Sequence, residues 1–264
     1  MPEWLAVIIL GILEGVTEFL PVSSTGHLLI PQTLGWLPAR SDLFNVVIQS
    51  GAVLAVLAVF ARRVGHLATT LHQPDTRDYL LKLFVAFAVT AVGGVLIKAF
   101  DIHLPEEVEP VALATLIGGL VIFLLEHLNR GKCGSAHLTW AVVIAVGLAQ
   151  VLAAAFPGTS RSGASILMAL ALGLSRPAAT EFSFLLGVPT LMAAGAFKLA
   201  SEFANGGLDR EPLGLLLLGT LVSGLSAFLV VRWLIHFVQG HTFHGFAWYR
   251  VLLGTALLVY AAVR

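Results

Sequence analysis

The stretch "LGILEGVTEFLPVSSTGHLLI", residues 10–30, sets two carboxylates, Glu14 and Glu18, just ahead of Ser23, Ser24, Thr25 and His27. Charge inside so apolar a run costs ~2.5–3.5 kcal/mol per group on insertion scales, so the pair calls for a chemical use. At i and i+4 both carboxylates lie on one face of a helix. Two uses fit. The pair can hold a hard divalent cation, Mg²⁺ or Ca²⁺, with substrate phosphates supplying further oxygens. It can also act as general base toward a serine or a water. His27 follows Ser24 by one helical turn on the same face, where it can deprotonate Ser24 or protonate a leaving phosphate.

A second polar break, "AFPGTSRSG" at 155–163, carries Thr159, Ser160, Arg161 and Ser162, with Ser165 shortly after. In each break a proline (Pro21, Pro157) ends one helix and hydroxyl residues cap the next. A helix start offers unpaired N–H donors and the positive end of the macrodipole. Two such starts facing one another make an anion site. The hydroxyls of Ser23, Thr25, Thr159, Ser160, Ser162 and Ser165 add substrate contacts. Arg161 adds a guanidinium fork suited to phosphate, and reads as the only basic residue placed at membrane depth. Gln150 reads as a polar wall of the same pocket. Glu181, Asn45 and Gln49 either line it or bond neighbouring helices.

The elements that must carry these groups are membrane helices. Of 264 residues, 58% are hydrophobic and 11% charged, where a soluble domain carries about 25% charged. The fold class is therefore an all-α integral membrane protein, one membrane domain over 1–264. A net charge of zero argues against nucleic acid as a partner. The first apolar run has no basic residue before it, unlike a secretory signal, and is expected to be retained. Cys133 is the sole cysteine, which rules out an intramolecular disulfide and a thiolate cage.

Six stretches have the ~20 apolar residues of a full crossing: about 43–62, 79–100, 110–128, 178–200, 213–235 and 246–263. The regions 4–36 and 138–173 are instead broken in the middle. Their second arms, about 24–36 and 160–173, are too short to span ~30 Å of hydrocarbon, and read as halves of re-entrant hairpins. Irregular backbone at that depth requires surrounding protein or a water-filled cavity.

The breaks also match each other. At an offset of 136, Gly11 falls on Gly147, Glu14 on Gln150, Pro21 on Pro157, Ser23 on Thr159 and Ser24 on Ser160. The chain thus reads as two units, 1–128 and 138–264, each a re-entrant hairpin followed by three transmembrane helices. Three is odd, so the second unit is inverted relative to the first. Arg62, Arg63, Arg77, Lys82, Arg130, Lys132, Arg176, Arg232 and Arg250 fall on one side, which the positive-inside rule makes cytoplasmic. Arg40, Lys98, Lys198, Arg210 and Arg264 fall on the other, with the acidic loops "DIHLPEEVEP" and "SEFANGGLDREP". The sequence allows a homodimer as readily as a monomer. Inverted repeats with broken helices also build transporters, so a carrier or flippase for a phospholipid-like anion is the rival class. A carrier has no need of Ser24 beside a base.

At "EGVTEFLPVSSTGH" and "PGTSRSG" the chain resembles the bacterial undecaprenyl-pyrophosphate phosphatases, the bacitracin-resistance family. The resemblance extends over nearly the whole chain, through "FNVVIQSGAVLAV" and "EFSFLLGVPTLMAA". It implies a multi-pass hydrolase of the bacterial plasma membrane, its site open to the periplasmic side, recycling the cell-wall lipid carrier by removing the terminal phosphate of undecaprenyl diphosphate. It also implies a divalent cation, Mg²⁺ or Ca²⁺. The family's glutamate pair falls on Glu14 and Glu18, its serine and histidine on Ser23, Ser24 and His27, and its arginine on Arg161 beside Ser160. Ser165 stands where the family usually has threonine. The expected reaction is attack by Ser24, or by water, on the terminal phosphorus, with His27 or a glutamate as base. Cation, Arg161 and helix N–H groups then stabilise the developing charge.

Overall fold

A computed structural model describes residues 1–100, 107–204 and 212–263, and the regular elements among them are helices. Helix α1 (Glu3–Thr17) leads to a turn and then to α2 (Ser24–Thr33). Helix α3 (Asp42–Val59) bends by 68° into the short α4 (Ala61–Thr69). There follow α5 (Pro74–Ala99), α6 (Val108–Leu128), α7 (Trp140–Ala155), α8 (Arg161–Ala171), α9 (Arg176–Ala204), α10 (Leu213–Gly240) and α11 (His244–Val263). Five of these are long and apolar enough to cross a bilayer, or six if the bent α3–α4 pair is one span. Residues 101–106 and 205–211, with Arg210, and the terminal Arg264 lie outside the described residues, so most of the two acidic loops does too.

The six expected crossings correspond to α3, α5, α6, α9, α10 and α11. Helix α4 was not expected. Its apolar Leu67 is buried while Arg62 and His66 are exposed, an amphipathic pattern that turns the chain away from the axis of α3 once the apolar run ends.

The surface, unlike that of a soluble protein, is apolar, and polar groups are set within an otherwise apolar interior. Leu213, Leu217, Leu221, Leu225 and Leu229, spaced by four along α10, are all exposed, whereas Glu14, Glu18, Gln150, Ser162, Ser165, Ser223 and Arg250 are buried. Such a surface gains nothing from water and suits hydrocarbon, which lets the polar groups face one another inside.

In each of the two broken regions, two helices joined by a turn pack against one another. Helices α1 and α7 have 15 and 16 residues, about 22–24 Å at 1.5 Å per residue, and each packs against its own short second arm, α2 or α8. Helices from early and late in the chain are interleaved: α1 packs on α10, α7 on α5, α3 on both α9 and α10, and α6 on α11. Small residues allow the close approaches. At Gly51 a side chain would overlap the backbone of Thr220 in α10, and at Gly15 that of Ser223.

Candidate active site

Both hairpin turns end on a serine in a backbone conformation that L residues rarely adopt. Ser23 has φ 73° and ψ 97°, and Ser160 has φ 71° and ψ 112°. Among the described residues these are the only non-glycine positions with positive φ. Each costs on the order of 1–3 kcal/mol, and such strain persists where surrounding structure enforces it, typically at functional sites. Each serine also caps its helix: Ser23 Oγ accepts from Gly26 N at 3.4 Å and Ser160 Oγ from Gly163 N at 3.1 Å.

This pairing corrects the sequence offset by one residue. Ser23 corresponds to Ser160 rather than to Thr159, and Ser24 corresponds to Arg161 rather than to Ser160. The shift has chemical meaning, because the first residue of each second arm reaches the same carboxylate. Ser24 Oγ donates to Glu18 Oε2 at 2.5 Å, and Arg161 Nη2 donates to Glu18 Oε1 at 3.2 Å. Gln49 Nε2, from α3, donates to Glu18 Oε2 at 3.2 Å. Glu18 is thus held by three elements beyond its own, with one oxygen committed to a hydroxyl and the other to a cation.

Arg161 is only partly used. Its Nε and Nη1 are buried without hydrogen-bond partners, beside the ring face of Phe19 at 5.5 Å. A cavity of about 200 Å³ lies between the turns, lined by Glu18, Ser23, Ser24, Thr25, Ser160 and Arg161 among others. Ser24, Thr25, Gln49 and Pro157 also border a second cavity of about 450 Å³, which includes Glu14 and Asn45 and reaches Ala39 and Arg40 in the loop after α2. The two spaces are therefore adjacent, with Ser24, Thr25, Gln49 and Pro157 common to both.

Glu14 is the most conspicuous unfinished group. It is 1% exposed, has the Gln49 amide and Glu18 as near neighbours, and neither carboxylate oxygen makes a hydrogen bond of normal geometry. The carbonyl oxygen of the Asn45 side chain, at the same cavity, is also unsatisfied. Hard oxygens left unsatisfied fit a Mg²⁺- or Ca²⁺-type ion. Among the described residues no group of three metal-type side chains comes together, so such an ion would need oxygens from water or substrate as well.

Other expected site residues are placed elsewhere. Both ring nitrogens of His27 are engaged away from Ser24. Nδ1 lies 2.7 Å from Ser23 O, an atom that can only accept, so Nδ1 carries the proton. In the neutral ring Nε2 then accepts from the Tyr249 hydroxyl at 2.5 Å, and the two rings stack. Ser162 donates to Leu20 O at 2.9 Å, binding one turn to the other, and Ser165 donates to Arg161 O within its own helix at 2.8 Å. Thr159 borders an apolar cavity among α6, α7 and α8. Gln150 is buried with both side-chain polar atoms unpaired and lines neither site cavity. Glu181 pairs with Arg63 at 2.9 Å and faces a separate polar cavity of about 530 Å³ near α4.

Sequence reading missed Arg250. The loop charges put it on the basic side of the membrane, with Arg161 as the sole cation at depth. Instead Arg250 is fully buried and donates to Pro21 O, Gly158 O and Thr159 O in the two turns and to Ala114 O and Thr115 O in α6. The signal available was its position seven residues into an apolar helix, too deep for an interfacial arginine unless it snorkels.

The chain is similar to known proteins over nearly its whole length. The family described as "Bacitracin resistance protein BacA" matches residues 7–256. An undecaprenyl-diphosphatase of Xylella fastidiosa (strain 9a5c) is 47% identical over 261 residues, 98% of this chain and 99% of the relative. One of Xanthomonas campestris pv. campestris (strain 8004) is 47% identical over 98% of both chains. One of Rhizobium etli (strain CIAT 652) is 44% identical over 257 residues, 97% of this chain and 96% of the relative. With the matched region spanning both hairpins and relatives covered almost end to end, the chain belongs to the bacitracin resistance protein BacA family.

Proposed function

We propose that the chain hydrolyses undecaprenyl diphosphate to undecaprenyl phosphate and inorganic phosphate, with Ser24 as nucleophile and Glu18 as its base. The observation that carries the assignment is the 2.5 Å hydrogen bond from Ser24 Oγ to Glu18 Oε2, with Arg161 on the other oxygen. Geometry comes first in assigning a general base, and here it favours Glu18 over His27. As the Ser24 oxygen bonds to the terminal phosphorus, Glu18 takes its proton and the bond to the bridging oxygen breaks. Lipid monophosphate leaves, and water then releases phosphate from the serine. Nε and Nη1 of Arg161, which have no hydrogen-bond partner within the protein, donate to phosphate oxygens, joined by the N–H groups at the starts of α2 and α8. His27 holds the carbonyl of Ser23 and so the strained cap beside the nucleophile.

Glu14, with Glu18 and Asn45, would hold the divalent cation, Mg²⁺ or Ca²⁺. When bound, that ion neutralises diphosphate charge that the two carboxylates would otherwise repel. The isoprenoid tail stays in the bilayer between helices, and the headgroup enters through the cavity that reaches Arg40. In this reading the two units, each a hairpin plus three crossings, are inverted, and the loop charges make the face carrying that entrance periplasmic. The matched strained caps and the interleaved packing of the two halves support this arrangement.

The deciding experiment is phosphate release by purified protein given polyprenyl diphosphate, with and without chelator. Release that stops with chelator is expected, and no release at all would refute the enzyme. In liposomes, lipid translocation without phosphate release would instead favour a flippase. Orientation is read separately, on a Cys133→Ser background. A cysteine at Glu107 should react with an impermeant thiol reagent from outside intact cells, while cysteines at Asp75 and Lys132 should not. Equal labelling of all three would refute the inverted arrangement.

A further inference from the structure

Arg250 has a place in the molecule that the proposed chemistry does not use. A guanidinium has five N–H donors, and all five of those on Arg250 are spent on main-chain carbonyls. Nε bonds Thr115 O at 3.1 Å, Nη1 bonds Pro21 O at 3.0 Å and Thr159 O at 3.2 Å, and Nη2 bonds Gly158 O at 2.9 Å and Ala114 O at 3.1 Å. Among the described residues no carboxylate forms an ion pair with it.

Three of those carbonyls belong to the turns, where no helix supplies an N–H partner and buried backbone must be satisfied by something else. Pro21 lies two residues before the Ser23 cap and Gly158 two residues before the Ser160 cap. One guanidinium therefore grips the same position of both turns at once and ties each to α6. Its rigid planar fork converts those contacts into a fixed spacing. The first residue of each following helix is Ser24 or Arg161, and both must meet Glu18. A methyl group at Gly118 would overlap the guanidinium, so α6 is hollowed at the point where the fork sits.

We propose that Arg250 is a positioning residue for hydrolysis: it sets the register of the two turns so that Ser24 and Arg161 converge on Glu18. The inference rests on the phosphatase reading above. A misplacement of about 1 Å can cost on the order of 10²-fold in rate, so turnover should respond more than binding. Lysine keeps the charge but offers three donors from one point, and cannot hold both turns and α6 together.

The test uses the full chain in detergent, comparing wild type with Arg250→Lys, Arg250→Gln and Gly118→Ala. kcat and KM for polyprenyl diphosphate are measured on the monodisperse folded fraction, alongside the melting temperature. Arg250→Lys and Arg250→Gln should lower kcat about 10²-fold with KM changed only a few-fold, and lysine should not rescue. Gly118→Ala keeps the guanidinium and all its donors but displaces them. It should lower kcat by about tenfold, and it provides the test if the Arg250 variants do not fold. Unchanged kcat per folded molecule in the variants that fold, with only the melting temperature lowered, would reduce Arg250 to a structural staple and overturn the proposal. An inactive wild-type chain would refute the phosphatase reading and any role for Arg250 in it. An active wild type with active variants refutes the positioning role alone.

Discussion

Arg161 and Arg250 both carry a guanidinium into the interior, and each sits against a glycine that leaves it room, Gly187 beside Arg161 and Gly118 beside Arg250. Their partners differ in kind. Arg250 meets five carbonyl oxygens and has no donor left, whereas Arg161 spends one nitrogen on Glu18 and leaves Nε and Nη1 buried and unpaired. A buried donor without a partner costs roughly 1–3 kcal/mol, more when charged, so a chain keeps one where a ligand will complete it. Carbonyls are dipoles that fix a backbone, while a carboxylate beside open donors prepares a place for a second anion. In the proposed reading the same side chain builds a scaffold in one place and a recognition site a short distance away.

The largest expected effect concerns the anion that completes Arg161. If Glu14 holds a cation that neutralises the diphosphate, excess chelator should abolish phosphate release and added Mg²⁺ or Ca²⁺ should restore it. Normal turnover in chelator would leave Glu14 without its metal and shift attention to a proton. Glu18→Gln comes next. It keeps the shape but removes the base and the ion pair with Arg161, and should lower kcat by at least ~10²-fold. Retention of near-normal kcat would move the base elsewhere, with His27 the first candidate.

Arg161→Lys tests the comparison itself. Lysine keeps the charge and the pairing with Glu18 but loses the fork, so turnover should fall by about 10²–10³-fold with an unchanged melting temperature. If lysine restored full activity, Arg161 would be a counter-ion for Glu18. Alanine would then be the destabilising change, by roughly 3–5 kcal/mol for the carboxylate left unpaired. The smallest effect is expected for Tyr249→Phe. It removes one hydrogen bond to His27 Nε2, worth about 0.5–1.5 kcal/mol, and should lower kcat by roughly two- to tenfold. A loss as large as that of Glu18→Gln would mean that His27 takes part directly.

Much of this was legible in the residues themselves. Hydropathy is a local property, so the crossings α5, α6, α10 and α11 could be placed from apolar run length. The two hairpins followed from a proline and a cluster of hydroxyls interrupting runs of otherwise sufficient length. Glu14, Glu18, Ser24 and Arg161 drew notice for a local reason too, since charge within an apolar run demands an explanation. Other features depended on partners far away in the chain. Whether a hydroxyl faces the cavity or its own backbone is decided by rotation about a helix. Ser24 and Ser165 therefore look alike in sequence, yet one bonds Glu18 and the other Arg161 O. The backbone conformation of Ser23 and Ser160, which moved the alignment of the two breaks by one residue, arises from packing of one turn on the other. Arg250 is the clearest case. Near the start of an apolar helix and on the basic side, it reads as a group reaching for water. Only the assembled bundle brings five unpaired or shareable carbonyls from α6 and two turns within its reach. Partitioning between water and hydrocarbon is settled residue by residue along the chain, but satisfying a buried donor takes acceptors from separate elements, and only the tertiary structure supplies them.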